Sequence, residues 1–188
     1  MEIILIRHGK PKIDTSGRVS AADFGKWVSD YDMAGIDDEH KPENGVIERA
    51  ERCAFTVCSN LPRSIESARL LNIETPELVS PLYRECEMPY GKWTYPRLSK
   101  RSWSVFFRIL QLLGYSSNAE SYKAIKERSE KCANQLVELS QVHNTVLFVG
   151  HGTINWFIHK HLLRMGWLGP QKSGRKHWEY GQYIYNET

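Results

Sequence analysis

The sequence predicts an α/β fold: a three-layer α/β/α sandwich in which a mostly parallel central sheet lies between two layers of helices. A continuous apolar run occupies residues 3–6, and similar runs with one threonine each occupy residues 54–58 and 145–149; such runs are typical of strands buried on both faces. Segments with helical spacing separate these runs, and alternating strands and helices form parallel sheets covered on both sides. No linker or repeat divides the 188 residues, so we predict one domain over residues 1–188.

The remaining elements follow from weaker signals along the chain. Residues 77–83 and 180–185 are predicted as further strands. Four helices are predicted at residues 20–33, 60–71, 122–139 and 152–165, with Asn60 capping the second and a Ser117–Glu120 capping box before the third. The aromatic stretch between Gly91 and Asn118 is either a segment that covers a site or a helix that packs on the sheet.

The composition excludes several classes of protein. A net charge of +3 with 41% hydrophobic residues is typical neither of a disordered chain nor of a dedicated nucleic-acid binder. The amino terminus lacks the pattern of a signal peptide, and the longest apolar candidate, residues 103–115, contains Arg108 and is too short to cross a bilayer. We therefore expect a cytoplasmic protein that binds no membrane and no nucleic acid; its oligomeric state is left open.

The four cysteines suggest thiol catalysis, and the histidine-rich helix suggests a metal site. The sequence supports neither one well. Cys53, Cys58, Cys86 and Cys132 form no C-x-x-C pair, so we expect buried free thiols. His151, His159 and His161 could be read as a metal cluster, but they lack Cys or Asp partners at ligand spacing. We predict no metal and no cofactor.

Polar residues follow each of the three apolar strands. Arg7, His8 and Gly9 come after the first, Ser59 to Arg63 after the second, and Gly150, His151 and Gly152 after the third. Open α/β sheets bind ligands beyond the carboxyl ends of their strands, so these segments should converge on one crevice.

Two histidines and two arginines in one crevice are suited to phosphoryl transfer. A neutral imidazole attacks phosphorus when its other ring nitrogen is held by a hydrogen bond, and two guanidinium groups bind the phosphoryl oxygens. The glycines allow close approach of the backbone, and the amides that open the helix after His151 offer a further anion site. We expect Gly9, Ser59 and Gly152 to contact the substrate.

The three segments, in this order, resemble the signatures of the histidine phosphatase superfamily, whose fold is that of phosphoglycerate mutase. The resemblance covers residues 7–152, and its fold accounts for essentially the whole chain. It implies that His8 becomes the phosphohistidine and that Arg7, Arg63 and His151 form the phosphate pocket. It also implies an acid that protonates the leaving oxygen.

Glu85 and Glu87 compete for the role of this acid. Glu85 matches an Arg-Glu dipeptide found in the family, whereas Glu87 has the family's spacing to Gly91. The two side chains should share one face of an extended segment, so periodicity cannot separate them. We favour Glu85 and expect burial to raise its pKa.

The sequence departs from the family pattern where Lys10 and Pro11 follow Gly9. Lys10 either adds a cation at the mouth of the site or points to solvent. Residues 17–41 form either one wall of the mouth or only a surface helix and loop. The basic segment 159–178, with five Lys or Arg and no carboxylate, either steers anions or is a solvated tail.

The predicted activity is hydrolysis of a phosphomonoester, either a phosphorylated small molecule or a phosphoprotein. A mutase must shield its phosphohistidine from water with additional segments, and the chain is short for that purpose. A phosphoglycerate-type mutase and a non-catalytic phosphate-binding module of the same fold remain the alternatives.

Overall fold

The protein was studied as a computed structural model that describes residues 1–186; the predicted domain therefore ends with two residues outside the described part. The strands are β1 (Glu2–Arg7), β2 (Arg18–Val19), β3 (Phe55–Ser59), β4 (Leu78–Ser80), β5 (Leu98–Ser99), β6 (Thr145–Gly150) and β7 (Tyr180–Ile184). The helices are α1 (Ala21–Met33), α2 (Asn44–Glu51), α3 (Pro62–Leu70), α4 (Lys100–Leu112), α5 (Tyr122–His143) and α6 (Gly152–Arg164).

Five strands form the central sheet in the order β4-β3-β6-β1-β7. The pairs β4–β3, β3–β6 and β6–β1 are parallel, and β7 runs antiparallel to β1 at the edge. The predicted α/β class with a mostly parallel sheet is confirmed. β2 and β5 pair separately in a small two-stranded sheet that the sequence did not indicate.

Alternate residues of β1 belong to two different hydrophobic clusters. Ile3 and Leu5 pack in a cluster with residues of α5 and α6, while Ile4 and Ile6 pack in a cluster with residues of α2 and α3. All four side chains are at most 2% exposed. Successive side chains of a strand point to opposite faces, so an uninterrupted apolar run is the pattern that a strand between two helical layers requires.

Two predicted helix caps are wrong, although α5 begins at Tyr122 as predicted. α5 begins after Ser121, whose hydroxyl accepts from the amide of Ala124, and not after a Ser117–Glu120 box. α3 begins after Leu61, which makes no side-chain cap, because the Asn60 carboxamide oxygen instead accepts from Arg84 Nε at 2.6 Å. Helix α2 was not predicted.

The predicted helix within the aromatic stretch exists as α4, but it does not pack on the sheet. Its Trp103 and Phe107 form a third cluster with Ala21 and Phe24 of α1. The rings of Phe24 and Phe107 stack with their centroids 5.7 Å apart. α1 and α4 therefore form a separate helical pair beside the sandwich.

The cysteines are free in the described structure. Cys58, Cys86 and Cys132 are buried, and Cys53 is half-buried. Burial raises the pKa of the Cys53, Cys58 and Cys132 thiols to about 12, so they are protonated and unreactive near neutral pH. Within residues 1–186, no helix is both long and apolar enough to span a membrane.

Candidate active site

The polar segments predicted to converge lie at the carboxyl ends of neighbouring strands. Arg7 ends β1, Ser59 ends β3, and His151 follows directly after β6. The amide of His8 donates to the carbonyl of Gly150 at 3.0 Å, and the rings of His8 and His151 lie 5.0 Å apart between centroids. The parallel sheet thus brings these separate parts of the chain to one place.

His8 is oriented by its own backbone. Its ring is only 1% exposed, and Nδ1 lies 2.7 Å from the carbonyl oxygen of Gly9. A carbonyl oxygen only accepts, so Nδ1 carries the proton and Nε2 keeps its lone pair. Burial lowers the pKa of His8 well below its usual value, and His151, Arg63 and Arg7 act in the same direction. His8 is therefore a neutral imidazole with a free nucleophilic nitrogen.

His151 is fully buried as the residue before α6. Its Nε2 lies 2.7 Å from the hydroxyl of Ser59, which also accepts from the amide of Leu61. When Ser59 donates to Nε2, the proton of the neutral ring is on Nδ1, and this atom is buried without a partner. Burial, followed by Arg63 and Arg7, lowers the pKa of His151 well below its usual value.

Arg63 is held in the first turn of α3 without any exposure to solvent. Its Nη1 donates to the carbonyl of Tyr31 at 2.9 Å, and Nη2 pairs with Asp32 at 3.0 Å. The guanidinium also lies over the ring of Tyr31, 4.7 Å from the centroid. Its Nε has no partner. Arg63 is therefore fixed in place with one donor unused.

Arg7 has a similar arrangement. One terminal nitrogen donates to the carbonyl of Arg175, and its Nε is buried without a partner. Six buried side-chain N or O atoms lack a partner in the described part of the chain, and three of them are Arg7 Nε, Arg63 Nε and His151 Nδ1. Leaving a buried donor unpaired is costly, so three of them in one cluster indicate a site built for an anion.

The predicted glycine and serine contacts have other partners in this structure. The amide of Gly9 donates to Ser67 at 2.8 Å, and a side chain at Gly9 would overlap the ring of Trp178. Ser59 is used by His151. Gly152 lies beside Arg7, and a Cβ there would be 3.5 Å from its guanidinium carbon. That these three residues bind substrate stays a prediction.

Glu85 lies at the amino-terminal end of α6. Its carboxylate accepts from the amides of Thr153, Ile154 and Cys86 at 2.9–3.1 Å. Burial alone would raise the pKa of Glu85, but Arg108 and these backbone amides outweigh it and lower the pKa below its usual value. The predicted rise is therefore wrong, and Glu85 is a carboxylate near neutral pH.

Glu87 has a different environment, although both glutamates line the same cavity. Glu87 is exposed, and its carboxylate accepts from the amide of Glu120 at 2.8 Å. The Glu120 carboxylate accepts in turn from the amide of Glu87. Glu87 therefore holds two loops together, whereas Glu85 is half-buried against the helix that follows His151.

Sequence reasoning missed His177. Its ring lies 5.4 Å from the ring of His8, and its Nδ1 donates to the His8 carbonyl at 3.0 Å. Burial lowers the pKa of His177 to about 4. The amide of Trp178 donates to Arg7, so the end of the basic segment 159–178 is folded over β1 and is not a solvated tail. The only signal in the sequence was the excess of basic residues there.

The other candidate cations and histidines lie elsewhere. Lys10 pairs with Asp37 at 3.3 Å. His159 contacts the hydroxyl of Tyr183 and His161 contacts Ser129, so neither lies with His151. In the part of the chain that the structure describes, no three His, Cys, Asp or Glu side chains group as a metal site.

A cavity of about 640 Å³ opens beside the two arginines. Arg7, Arg63, Glu85 and Gly152 line one part of it. Trp27 and Tyr31 of α1 also line it, which shows that residues 17–41 do form one wall of the site.

The mostly parallel sheet, with two histidines and two arginines near the carboxyl ends of its strands, defines an α/β protein with a candidate anion site. A sequence model of the histidine phosphatase superfamily (branch 1) matches residues 45–177. The chain belongs to this superfamily, and the resemblance stated from the sequence is confirmed. A search of curated proteins found no match.

Solved structures share the fold at low sequence identity. A mycobacterial glucosyl-3-phosphoglycerate phosphatase is 17% identical with a TM-score of 0.60, over 96% of this chain and 88% of its own. A phosphoserine phosphatase from Entamoeba histolytica is 17% identical with a TM-score of 0.60, over 98% of this chain and 91% of its own. These similarities support the phosphoglycerate mutase-like fold.

The buried histidines make the stability of the protein dependent on pH. The pKa values of His8, His151 and His177 are lowered in the folded protein, so below about pH 6.5 the unfolded chain binds protons that the folded protein does not. The free energy of unfolding in urea should be at least about 1 kcal/mol lower at pH 5.5 than at pH 7.5.

Replacing one of these three histidines should weaken the dependence of the unfolding free energy on pH. His177→Gln should reduce the difference in unfolding free energy between the two pH values, because it removes one of the three histidines whose pKa is lowered in the folded protein. An unchanged difference in His177→Gln would show that His177 does not contribute.

Proposed function

We propose that this protein is a phosphatase that hydrolyses phosphomonoesters through a phosphohistidine on His8. One observation carries the proposal: a neutral imidazole with a free Nε2 lies among three buried nitrogen atoms without partners, Arg7 Nε, Arg63 Nε and His151 Nδ1. A phosphoryl group bound there would satisfy these atoms. Its oxygens are the acceptors that arginine binds best.

The first half of the reaction transfers the phosphoryl group to His8. Nε2 attacks phosphorus, a P–N bond forms, and the bond between phosphorus and the ester oxygen breaks. Charge on the phosphoryl oxygens is stabilised by Arg7, Arg63 and His151, which are already fixed before substrate binds. The leaving oxygen takes a proton, which we assign to Glu85.

The proton on Glu85 has to arrive with the substrate, because Arg108 and the backbone amides lower the pKa of Glu85 and keep it ionised. A phosphomonoester has a second pKa near 6, so part of it enters as the monoanion and can pass its proton to Glu85. A bound dianion beside Glu85 also raises the pKa of that carboxyl group. In the second half, water attacks the phosphohistidine with Glu85 as base, the P–N bond breaks, and phosphate leaves.

The comparisons support the phosphatase assignment at the level of class. The superfamily is that of the histidine phosphatases, and two solved structures of the same fold are named as phosphatases of small phosphorylated molecules. The free cysteines fit a reducing cytoplasm, which we propose as the compartment.

Trapping the phosphoenzyme tests the mechanism. The wild-type protein, mixed with a phosphomonoester labelled in its phosphoryl group and quenched within one turnover, should carry a label that acid removes and alkali does not. His8→Ala should carry none, and the control His143→Ala should be labelled like the wild type.

The products separate the alternatives. Release of inorganic phosphate supports hydrolysis, whereas return of the label in an isomer of the substrate would identify a mutase. A wild-type protein that binds phosphate but is labelled by no substrate would be a binding module, and the proposal would be wrong.

A further inference from the structure

The cavity next to the phosphate site has aromatic walls. On one side, Trp27 and Tyr31 of α1 lie with their ring centroids 5.2 Å apart. On the other, Phe157 of α6 contacts the rings of both Tyr122 and Trp156, at 5.8 and 4.8 Å between centroids. A volume of about 640 Å³ lies in the range of pockets that bury a whole small molecule.

Polar side chains on the same lining are already bonded to the protein. Arg108 donates to the carbonyls of Cys86 and Glu87, and Gln111 donates to the carbonyls of Glu87 and Glu120. The hydroxyl of Ser104 donates to its own helix, at the carbonyl of Lys100. Arg108 and Gln111 are therefore engaged in fixing the loop that carries Glu85, and of the buried hydroxyls on the described lining Ser173 is the one without a partner.

We propose that the substrates of this site are phosphomonoesters of apolar alcohols, with an aryl or alkyl body that occupies the aromatic cavity. This inference rests on the proposed phosphatase function. Apolar surface of the alcohol would be removed from water between the two aromatic walls. A polyhydroxylated alcohol, such as a sugar or glycerol, would lose hydrogen bonds to water and find few replacements there.

The substrate class is tested with two phosphomonoesters of primary alcohols, 3-phenylpropyl phosphate and glycerol 3-phosphate. Both release a primary alkoxide, so the difference between them reports mainly on binding of the body. Burial of the phenyl group predicts a kcat/KM about 30-fold higher for 3-phenylpropyl phosphate, measured as phosphate released.

The two proposals fail differently in this experiment. If glycerol 3-phosphate is hydrolysed as well as the phenylpropyl ester or better, the inference about substrate class is wrong and the phosphatase function stands. If neither ester is hydrolysed and no phosphoenzyme forms, the proposed function itself is wrong.

Leu112 and Leu113 provide a matched pair of variants. Both are exposed at the end of α4, at 48% and 79%, but only Leu112 is among the residues that line the cavity. Leu112→Asn should raise the KM for 3-phenylpropyl phosphate about 5-fold and leave glycerol 3-phosphate unchanged. Leu113→Asn should change neither. Equal effects of the two variants, or an equal effect on both substrates, would overturn the assignment of the cavity.

Discussion

Replacing Arg63 with Met is expected to lower kcat/KM for phosphomonoesters about 10³-fold, because positioned cations supply most of the catalysis in phosphoryl transfer. Arg63 is completely buried, and its Nε is one of the three donors without a partner. Met fills a similar volume. It leaves Asp32 without its ion pair, but that side chain is 49% exposed and water can solvate it. The fold should therefore survive the loss of the charge.

Arg49 is the matched control for this prediction. Its Nε is also buried without a partner, while its Nη1 donates to Gln182 and its guanidinium lies over Tyr180. Arg49 does not line the cavity beside Arg63. Arg49→Met should keep kcat/KM within about 2-fold of the wild type, as expected for a change away from the site.

Arg63→Lys distinguishes charge from geometry. Lysine retains the positive charge but loses the planar fork that binds two oxygens at once, so it should recover only part of the activity, to about 10²-fold below the wild type. Full activity in Arg63→Met, with circular dichroism showing a native fold, would remove Arg63 from the catalytic machinery.

The apolar strand pattern predicted both the parallel sheet and the meeting of the candidate site residues at one edge of it. Residues 3–6 and 146–149 are apolar without interruption, which is typical of a strand covered on both faces. Once these strands are parallel neighbours, the residues that follow them must meet at one edge. The proximity of His8 and His151 therefore follows from two local patterns and one rule of topology.

Contacts between distant segments could not be predicted in this way. Asn60 has the composition of a helix cap, but Arg84 competes for its side chain, and Arg84 lies 24 residues further along. His177 reaches His8 across 169 residues through a loop without periodic pattern. Such contacts depend on where a loop returns to the sheet, which neither propensity nor hydrophobic spacing specifies.

The pKa of Glu85 also depends on contacts with distant segments, so its direction of shift could not be predicted from the sequence. A buried carboxyl group was expected to retain its proton, which is correct for burial alone. The helix that begins at Gly152 presents the amides of Thr153 and Ile154 to this carboxylate, and Arg108 adds a positive charge. Only the folded chain shows that the helix which positions His151 also ionises the candidate acid.

The general acid can be identified by how each glutamate variant responds to the leaving group. Glu85→Gln should lower kcat/KM for an alkyl phosphate about 10²–10⁴-fold, because kcat/KM reports transfer of the phosphoryl group to His8 and an alkoxide is a poor leaving group without a proton. The same variant should lower kcat/KM much less for 4-nitrophenyl phosphate, whose phenolate leaves without protonation. A merely structural defect would slow both substrates equally.

Glu87→Gln is the matched control, since Glu87 lines the same cavity and carries the same charge. Its carboxylate contacts the amide of Glu120, so the variant should lose some stability and show no dependence on the leaving group. The pH profile gives a second readout: if the proton enters with the substrate monoanion, kcat/KM for the alkyl ester should fall as the pH rises above about 6. If Glu87→Gln shows the leaving-group dependence and Glu85→Gln does not, the two roles are reversed, and the carboxylate at the start of α6 serves to position the helix.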